Sequence, residues 1–209
     1  NSLTQMPEFA NLKSVNGSLQ ISWNNSLTQI PEFASLKVLN GYLGIEGNYK
    51  LVAMNGFTAL NKVNGPLNIY YNQQMEHFDG LDGVEEVGGD VFINNNDKLL
   101  YLTGLRGLNE IGGYLQIYSN RKLRNMHALR DLKTVGGLDI QFNQALGNLN
   151  ALLSLEKVNL DLTVTDNYNL GKCTGLAPVL GWPDGAFPKV GRAVMVSHNA
   201  VGCNKLTQI

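Results

Sequence analysis

The feature that most constrains this chain is a phrase, Leu-x-Ile-x-x-Asn-x-x-Leu, that returns about every 24 residues. Its copies place asparagines at Asn24, Asn48, Asn72, Asn96, Asn120, Asn143 and Asn167, and a degenerate copy adds Asn199. The steps between these asparagines are 24, 24, 24, 24, 23, 24 and 32 residues. A period held this closely indicates an architecture in which each copy is one unit stacked on the next.

Two hydrophobic periods run within each copy. Leu43 and Ile45 alternate as strand residues do, because successive strand side chains point to opposite faces. The stretch after the asparagine is spaced by three, as in Leu99, Leu102, Leu105, Leu108 and Ile111. Strict threes cannot keep one face of an α-helix buried, so they favour 3₁₀-like or extended turns that direct one residue per triplet inward.

The sequence therefore predicts a mainly β, right-handed solenoid of about eight 24-residue rungs, with a parallel sheet whose strands lie about 4.8 Å apart. We expect one domain over residues 1–209, with a truncated repeat at 1–17, regular repeats at 18–170 and irregular capping repeats at 171–209. A loop at 177–192 is expected to cover the end of the coil, or alternatively to contact a ligand. Because residues 1–9 nearly duplicate residues 25–33, we expect the chain to be part of a longer protein. Corner glycines such as Gly41 and Gly65 are expected at positive φ or at close backbone contacts.

The recurring asparagines are predicted to form an internal ladder. A carboxamide carries both donors and an acceptor, so stacked asparagines can satisfy one another and the backbone groups left over where each strand ends. A row of metal or sugar ligands is the weaker alternative.

Two segments carry a resemblance to a known family. Residues 87–93 (VGGDVFI) and 111–117 (IGGYLQI) resemble the receptor L-domain repeat, the leucine-rich β-helical module of insulin and epidermal growth factor receptor ectodomains. The resemblance covers nearly the whole chain and implies a leucine-rich-repeat-like β-helix and an extracellular or cell-surface module without enzymatic activity. The chain departs from receptor L domains in its regularity and in having two cysteines, whereas those domains are irregular and disulfide-rich.

The extracellular context sets expectations for two kinds of covalent modification. Cys173 and Cys203 favour a disulfide that pins the last rung, with two buried free thiols as the alternative. Asn16 and Asn24 each begin an N-glycosylation triplet. We expect Asn16, at an exposed corner, to be glycosylated and Asn24 to lie inside, unmodified.

Charge and motif content argue against several function classes. With 17 acidic and 16 basic residues, the net charge of −1 argues against a nucleic-acid groove or a polybasic membrane patch. No apolar run approaches the roughly 18 residues of a membrane-spanning helix. His77, His127 and His198 fall at three different phases of the repeat, which argues against a shared metal or catalytic column. We expect no enzyme activity, no metal and no cofactor.

The outward strand positions form the predicted ligand-binding surface, which includes Trp23, Tyr42, Tyr70, Tyr71, Phe92, Tyr114 and Tyr118. Aromatic side chains among Gln and Asn suit contacts with proteins or glycans, although Tyr also simply favours strands. The sequence thus predicts an extracellular recognition or adhesion module for a protein or carbohydrate ligand. The alternative is a structural repeat protein of a cell wall, matrix or surface filament, whose partners are neighbouring copies. Ice binding would need a row of matched threonines, which only Thr163 and Thr165 begin to supply.

Overall fold

The computed structural model describes residues 3–182 and 188–209. Its strands are β1 (Ser14–Val15), β2 (Leu19–Ser22), β3 (Val38–Leu39), β4 (Leu43–Glu46), β5 (Lys62–Val63), β6 (Leu67–Tyr70), β7 (Glu86–Val87), β8 (Val91–Asn94), β9 (Glu110–Tyr118), β10 (Thr134–Gln141), β11 (Lys157–Val158), β12 (Leu162–Thr165) and β13 (Val194–Ser197). The 3₁₀ turns are Thr103–Leu105, His127–Asp131, Asn150–Ser154, Thr174–Leu176 and Leu206–Gln208, and the α-helix α1 is Ala177–Leu180. No helix in these two ranges is long and apolar enough to cross a membrane.

The main sheet is parallel and in strict register. Strands β2, β4, β6, β8, β9, β10, β12 and β13 pair in that order. Equivalent residues of successive repeats lie side by side in neighbouring strands. In the first pair, Leu19 lies beside Leu43 and Ile21 lies beside Ile45. This register turns the sequence repeat into columns of equivalent side chains, so one column can be followed along the whole sheet.

A second, narrower ladder flanks the main sheet at the corner that precedes each strand. It joins β1, β3, β5, β7, the first residues of β9 and β10, and β11, all in parallel. Strands β9 and β10 are long enough to belong to both ladders.

The regular part of the coil has six turns, which span the seven strand positions from Leu19 to Leu162, and a last step of 32 residues leads to Val194. The predicted mainly β solenoid with its parallel sheet is confirmed, but the count of about eight rungs was slightly too high, because the last copy carries an insertion. The expected loop at 177–192 begins as α1, and its residues 183–187 lie outside the described residues.

The core consists of the strand residues and the triplet positions, stacked rung on rung. Leu99, Leu105, Leu108 and Ile111, which are spaced by multiples of three, have no exposed surface. Phe9, Phe33 and Phe57 form a continuous stack with ring centroids 4.8 and 4.9 Å apart. These separations match the spacing of neighbouring strands, so each rung buries its apolar side chains against equivalent ones above and below.

The predicted asparagine ladder is confirmed. The backbone N–H of Asn72 donates to Oδ1 of Asn96 (3.0 Å), while Nδ2 of Asn96 donates to the carbonyl of Ile69 (2.9 Å). The same pair of bonds recurs from Asn24 to Asn199. At the end of the row, the Asn199 N–H donates to Oδ1 of Asn204 (3.2 Å), which replaces the next rung. Each carboxamide therefore ties its own turn to the preceding one by two hydrogen bonds.

The corner glycines are explained by close contact between rungs. Gly41 and Gly65 do not have positive φ. A β-carbon added at Gly65 would fall 2.7 Å from the carbonyl carbon of Gly41, which is closer than real side chains approach. Of the two predicted reasons for these glycines, the close backbone approach is the correct one.

The predicted disulfide is also present. Cys173 and Cys203 are bonded, with Cα atoms 5.3 Å apart, and both side chains are buried. The bond ties the return path after β12 to the segment after β13, next to the end of the asparagine ladder.

Replacing one ladder asparagine tests how much the row contributes to stability. In Asn96→Ala, the amide of Asn72 loses its acceptor and the carbonyl of Ile69 loses its donor, both in fully buried surroundings. The loss of these two buried hydrogen bonds, at about 1–3 kcal/mol each, predicts a decrease of about 2–6 kcal/mol in the free energy of unfolding, measured by urea denaturation. Asn64→Ala removes an exposed Asn–Asn bond and should change it by less than about 0.5 kcal/mol. Equal effects of the two substitutions would contradict a stabilising ladder.

Candidate functional site

One position per rung, directly before the ladder asparagine, adopts a left-handed backbone. It is occupied by Trp23, Gly47, Tyr71, Asn95, Ser119, Phe142, Asp166 and His198, with φ between 54° and 64°. This conformation ends the strand and turns the chain so that the asparagine enters the ladder. Glycine and asparagine tolerate it, whereas for a bulky side chain it costs roughly 1–2 kcal/mol. The sequence predicted Trp23 and Tyr71 as binding residues. It did not predict their left-handed backbone, although both directly precede a ladder asparagine.

The seven predicted aromatic residues differ in accessibility. Trp23 (54% exposed) and Tyr71 (42%) stand out from the sheet. The other five, Tyr42, Tyr70, Phe92, Tyr114 and Tyr118, are half-buried. Sequence reasoning missed Tyr49, which is 40% exposed and comes directly after the ladder residue Asn48.

Glycines on neighbouring strands explain why some of these rings are partly covered. A β-carbon added at Gly47 would fall 2.5 Å from the Trp23 ring, and one at Gly44 would fall 2.8 Å from the Tyr42 ring. The Tyr114 ring contacts Gly137 in the same way. Each ring packs flat against the glycine of the neighbouring strand and covers its backbone. Only part of the ring surface therefore remains in solvent.

Aromatic contacts pair rings on the outer face of the first three rungs. Trp23 meets Tyr49 edge to face at 6.2 Å, and Tyr70 meets Tyr71 in the same manner at 5.6 Å. Tyr42 lies close enough to Tyr70 to influence its ionisation. We call these five residues, Trp23, Tyr42, Tyr49, Tyr70 and Tyr71, the aromatic cluster.

A buried carboxylate lies within the aromatic cluster. Glu46 is only 4% exposed, and no other charged side chain in the described part of the chain is buried to this degree. Its carboxylate accepts hydrogen bonds from Nε2 of Gln20 (2.9 Å) and Nδ2 of Asn68 (3.3 Å), and it lies over Gly44. Tyr70 also hydrogen-bonds to it, and burial together with this bond raises the pKa of Tyr70 to about 12. Three neighbouring rungs are thus tied together on the outer face of the sheet.

A second polar network occupies the outer face around Tyr114. The hydroxyl of Tyr114 donates to Oδ2 of Asp161 (2.9 Å), and this bond raises the pKa of Tyr114. The backbone N–H of Ala193 donates to Asp161 and is the main cause that lowers the pKa of that carboxyl group. In the adjacent column, Gln116 donates to Asp139 at 2.9 Å. The predicted binding residues therefore fall into two groups, since Tyr114 lies in this network and outside the aromatic cluster.

The remaining predicted positions are spread over the molecule. Asn16 is exposed, whereas Asn24 is half-buried and belongs to the ladder. Among the residues that can be described, no three His, Cys, Asp or Glu side chains are grouped as metal ligands.

Comparison with known families bears on the first half of the chain. Residues 11–105 match the family model of the Receptor L domain. The resemblance predicted from the sequence is confirmed over these residues, which are a little under half of the chain and contain the whole aromatic cluster. Receptor L domains are extracellular ligand-binding modules of a non-enzymatic family. No curated protein and no solved structure matches the chain.

The titration of Tyr70 tests the buried carboxylate. Its folded-state pKa of about 12 lies above the ordinary 10.0, so the neutral phenol stabilises the fold fully below pH 10 and this contribution is lost as the pH rises to about 12. In Glu46→Gln the pKa of Tyr70 should fall but stay above 10.0, because burial still raises it. The measurement is the ultraviolet absorbance of tyrosinate, taken as the difference between each protein and its Tyr70→Phe counterpart. Glu76→Gln, an exposed charge change, should leave the titration unmoved, and an unmoved titration in Glu46→Gln would contradict the contact.

Proposed function

We propose that the protein is a non-enzymatic extracellular recognition or adhesion module that binds a protein or glycan through the aromatic cluster. The observation that carries the proposal is the pair Trp23 and Tyr71, which are exposed and held at positive φ. Their position lies within the segment that matches the Receptor L domain.

Backbone strain favours a binding role for these two residues. Gly47, at the equivalent position between them, has φ of 64° without strain, so glycine would serve the turn better. Aromatic residues there cost free energy and expose apolar surface, and strain of this kind is concentrated at functional sites.

The cluster is pre-organised for binding. Edge-to-face contacts hold the exposed rings of Trp23 and Tyr71 against Tyr49 and Tyr70, and the Glu46 hydrogen bonds hold Tyr70 in turn. Rigid aromatic anchors lose little conformational entropy when a ligand binds, so more of the contact energy contributes to affinity.

Unsatisfied acceptors add polar recognition to the same face. The side-chain oxygens Oδ1 of Asn68 and Asn94 are buried and have no hydrogen-bond partner in the described part of the chain. An N–H or O–H group of a ligand would satisfy them, because a buried acceptor without a donor is costly. Aromatic rings beside amide oxygens suit both a protein surface and a carbohydrate.

The alternative function is a structural repeat protein of a cell wall, matrix or surface filament. The apolar residues Met195 (57% exposed) and Val201 (89% exposed), on and just beyond the final strand β13, favour this candidate. An exposed terminal strand with apolar neighbours can pair with another copy.

A substitution that the left-handed backbone tolerates separates the effect on binding from the effect on stability. Tyr71→Asn removes the ring but suits the left-handed backbone, so the free energy of unfolding should change by less than about 1 kcal/mol. Ligands would first be identified on glycan arrays and by pull-down of extracellular proteins, and affinity then measured by calorimetry. Tyr71→Asn and Trp23→Asn should each weaken binding about tenfold or more.

Ser119→Asn provides the matched control, because Ser119 has the same backbone conformation and no ring. It should bind like the unmodified chain. If no saturable ligand is found and the protein self-associates into fibres, the recognition role is wrong and the structural alternative is supported.

Glycosylation of Asn16 is expected from the extracellular assignment. Asn16 is exposed and begins the triplet Asn-Gly-Ser. Expression in a eukaryotic secretory host should add a glycan to the protein, detected by mass spectrometry, and Asn16→Gln should abolish it. A glycan on Asn24 instead would contradict the prediction, because that side chain belongs to the ladder.

A further inference from the structure

A cavity lies on the return path, away from the strand positions that form the main sheet. It has a volume of about 240 Å³ and lies between the 3₁₀ turns Thr103–Leu105 and His127–Asp131. Its lining includes Tyr101, Thr103, Arg106, His127 and Arg130. Pockets for whole drug-sized ligands measure roughly 300–1,000 Å³, so this one suits a single charged group or sugar ring.

The charges of the return paths are strongly segregated along the coil. Residues 76–90 contain six acidic residues and no Lys or Arg, whereas residues 121–133 contain five basic residues and one acidic residue. The near-zero net charge of the chain hides this separation. The cavity borders the basic segment, which gives an approaching anion a favourable potential.

The two arginines of the cavity are only loosely paired. Nη1 of Arg106 is 3.8 Å from Asp82, and Nε of Arg130 is 3.4 Å from Asp131, with all four side chains largely exposed. Each contact occupies one of the three guanidinium nitrogens. The remaining N–H groups are available to bind a carboxylate, sulfate or phosphate. Exposed pairs of this length contribute little, so an anion could replace them at small cost.

A buried hydroxyl also points to a ligand. Oγ1 of Thr103 is buried and has no hydrogen-bond partner among the residues described. A hydroxyl in this state is costly unless a partner arrives, and Thr103 is one of the residues that line the cavity. Tyr101 adds an aromatic ring that is 36% exposed.

We propose that this cavity binds the sulfate or carboxylate group of an acidic glycan. Arg106 and Arg130 neutralise the charge, the Thr103 hydroxyl donates to an anionic oxygen, and the Tyr101 ring packs on the apolar face of the sugar. The ring and the small size of the cavity favour a saccharide over an acidic peptide. The site is separate from the aromatic cluster and does not depend on it.

Binding of defined oligosaccharides tests the proposal. The probes are a heparin-derived hexasaccharide (sulfate and carboxylate), a hyaluronan hexasaccharide (carboxylate only) and a neutral dextran hexasaccharide, with Kd measured by calorimetry at two salt concentrations. At least one acidic probe should bind and the neutral one should not. The double variant Arg106→Gln/Arg130→Gln should raise the Kd about tenfold or more, with a smaller salt dependence. Thr103→Val should also weaken binding while leaving the thermal midpoint unchanged or higher, because it removes an unsatisfied group.

Two controls isolate the site. Lys13→Gln/Lys37→Gln removes two exposed positive charges from the first two rungs and should change the Kd by less than about twofold. Tyr71→Asn should leave this Kd unchanged, which keeps the result independent of the recognition role proposed above. Equal weakening by both charge variants would show non-specific attraction and overturn the site. Absence of acidic-probe binding, or equally strong binding of an Asp/Glu octapeptide, would overturn the glycan assignment.

Discussion

The asparagine carboxamide is the interaction on which this architecture depends. At the end of every strand its oxygen accepts from a backbone N–H of the preceding turn and its nitrogen donates to a strand carbonyl of that same turn, in fully buried surroundings. Because both hydrogen bonds must form in every rung, a change in repeat length has to be compensated within the same rung before the chain reaches the asparagine. The 23-residue step shows how, since a β-bulge between Val135 and Gly137 restores the register before the chain reaches Asn143. The ladder thus fixes the period, and the period fixes every column on the surface.

The ladder also creates the strained positions that support the proposed function. Bringing the asparagine inward requires a left-handed residue before it, and the side chain of that residue projects from the end of the strand. Most folds offer such positions at isolated turns, but here one occurs in every rung at the strand spacing of about 4.8 Å. Aromatic side chains placed there, such as Trp23 and Tyr71 two rungs apart, are held at a fixed multiple of that spacing. The same element that holds the fold together therefore also positions candidate binding residues.

Features set by periodicity could be predicted from the sequence, whereas features that depend on contacts between rungs could not. Register and ladder are consequences of spacing and residue type, whereas the disulfide was expected from two cysteines together with the extracellular context that the family resemblance implied. The burial of Glu46 does not follow from spacing, because an outward strand position is exposed unless Gly44 leaves room beneath and Tyr70, Gln20 and Asn68 surround it. Likewise the choice between positive φ and close approach for Gly65 depends on the distance to Gly41, which one repeat alone does not contain.

A repeat stabilised from within leaves its outer faces free to differ. The inward residues of each rung are restricted by the residues above and below, whereas outward columns and return paths touch only a few neighbours. Outward aromatic residues consequently differ from rung to rung along the sheet, while acidic and basic residues separate along the return paths. The two proposed recognition surfaces, of different chemistry, can thus share one core without competing for it. Tyr71 and Arg130 lie on separate surfaces, and neither side chain takes part in the ladder that holds the rungs together.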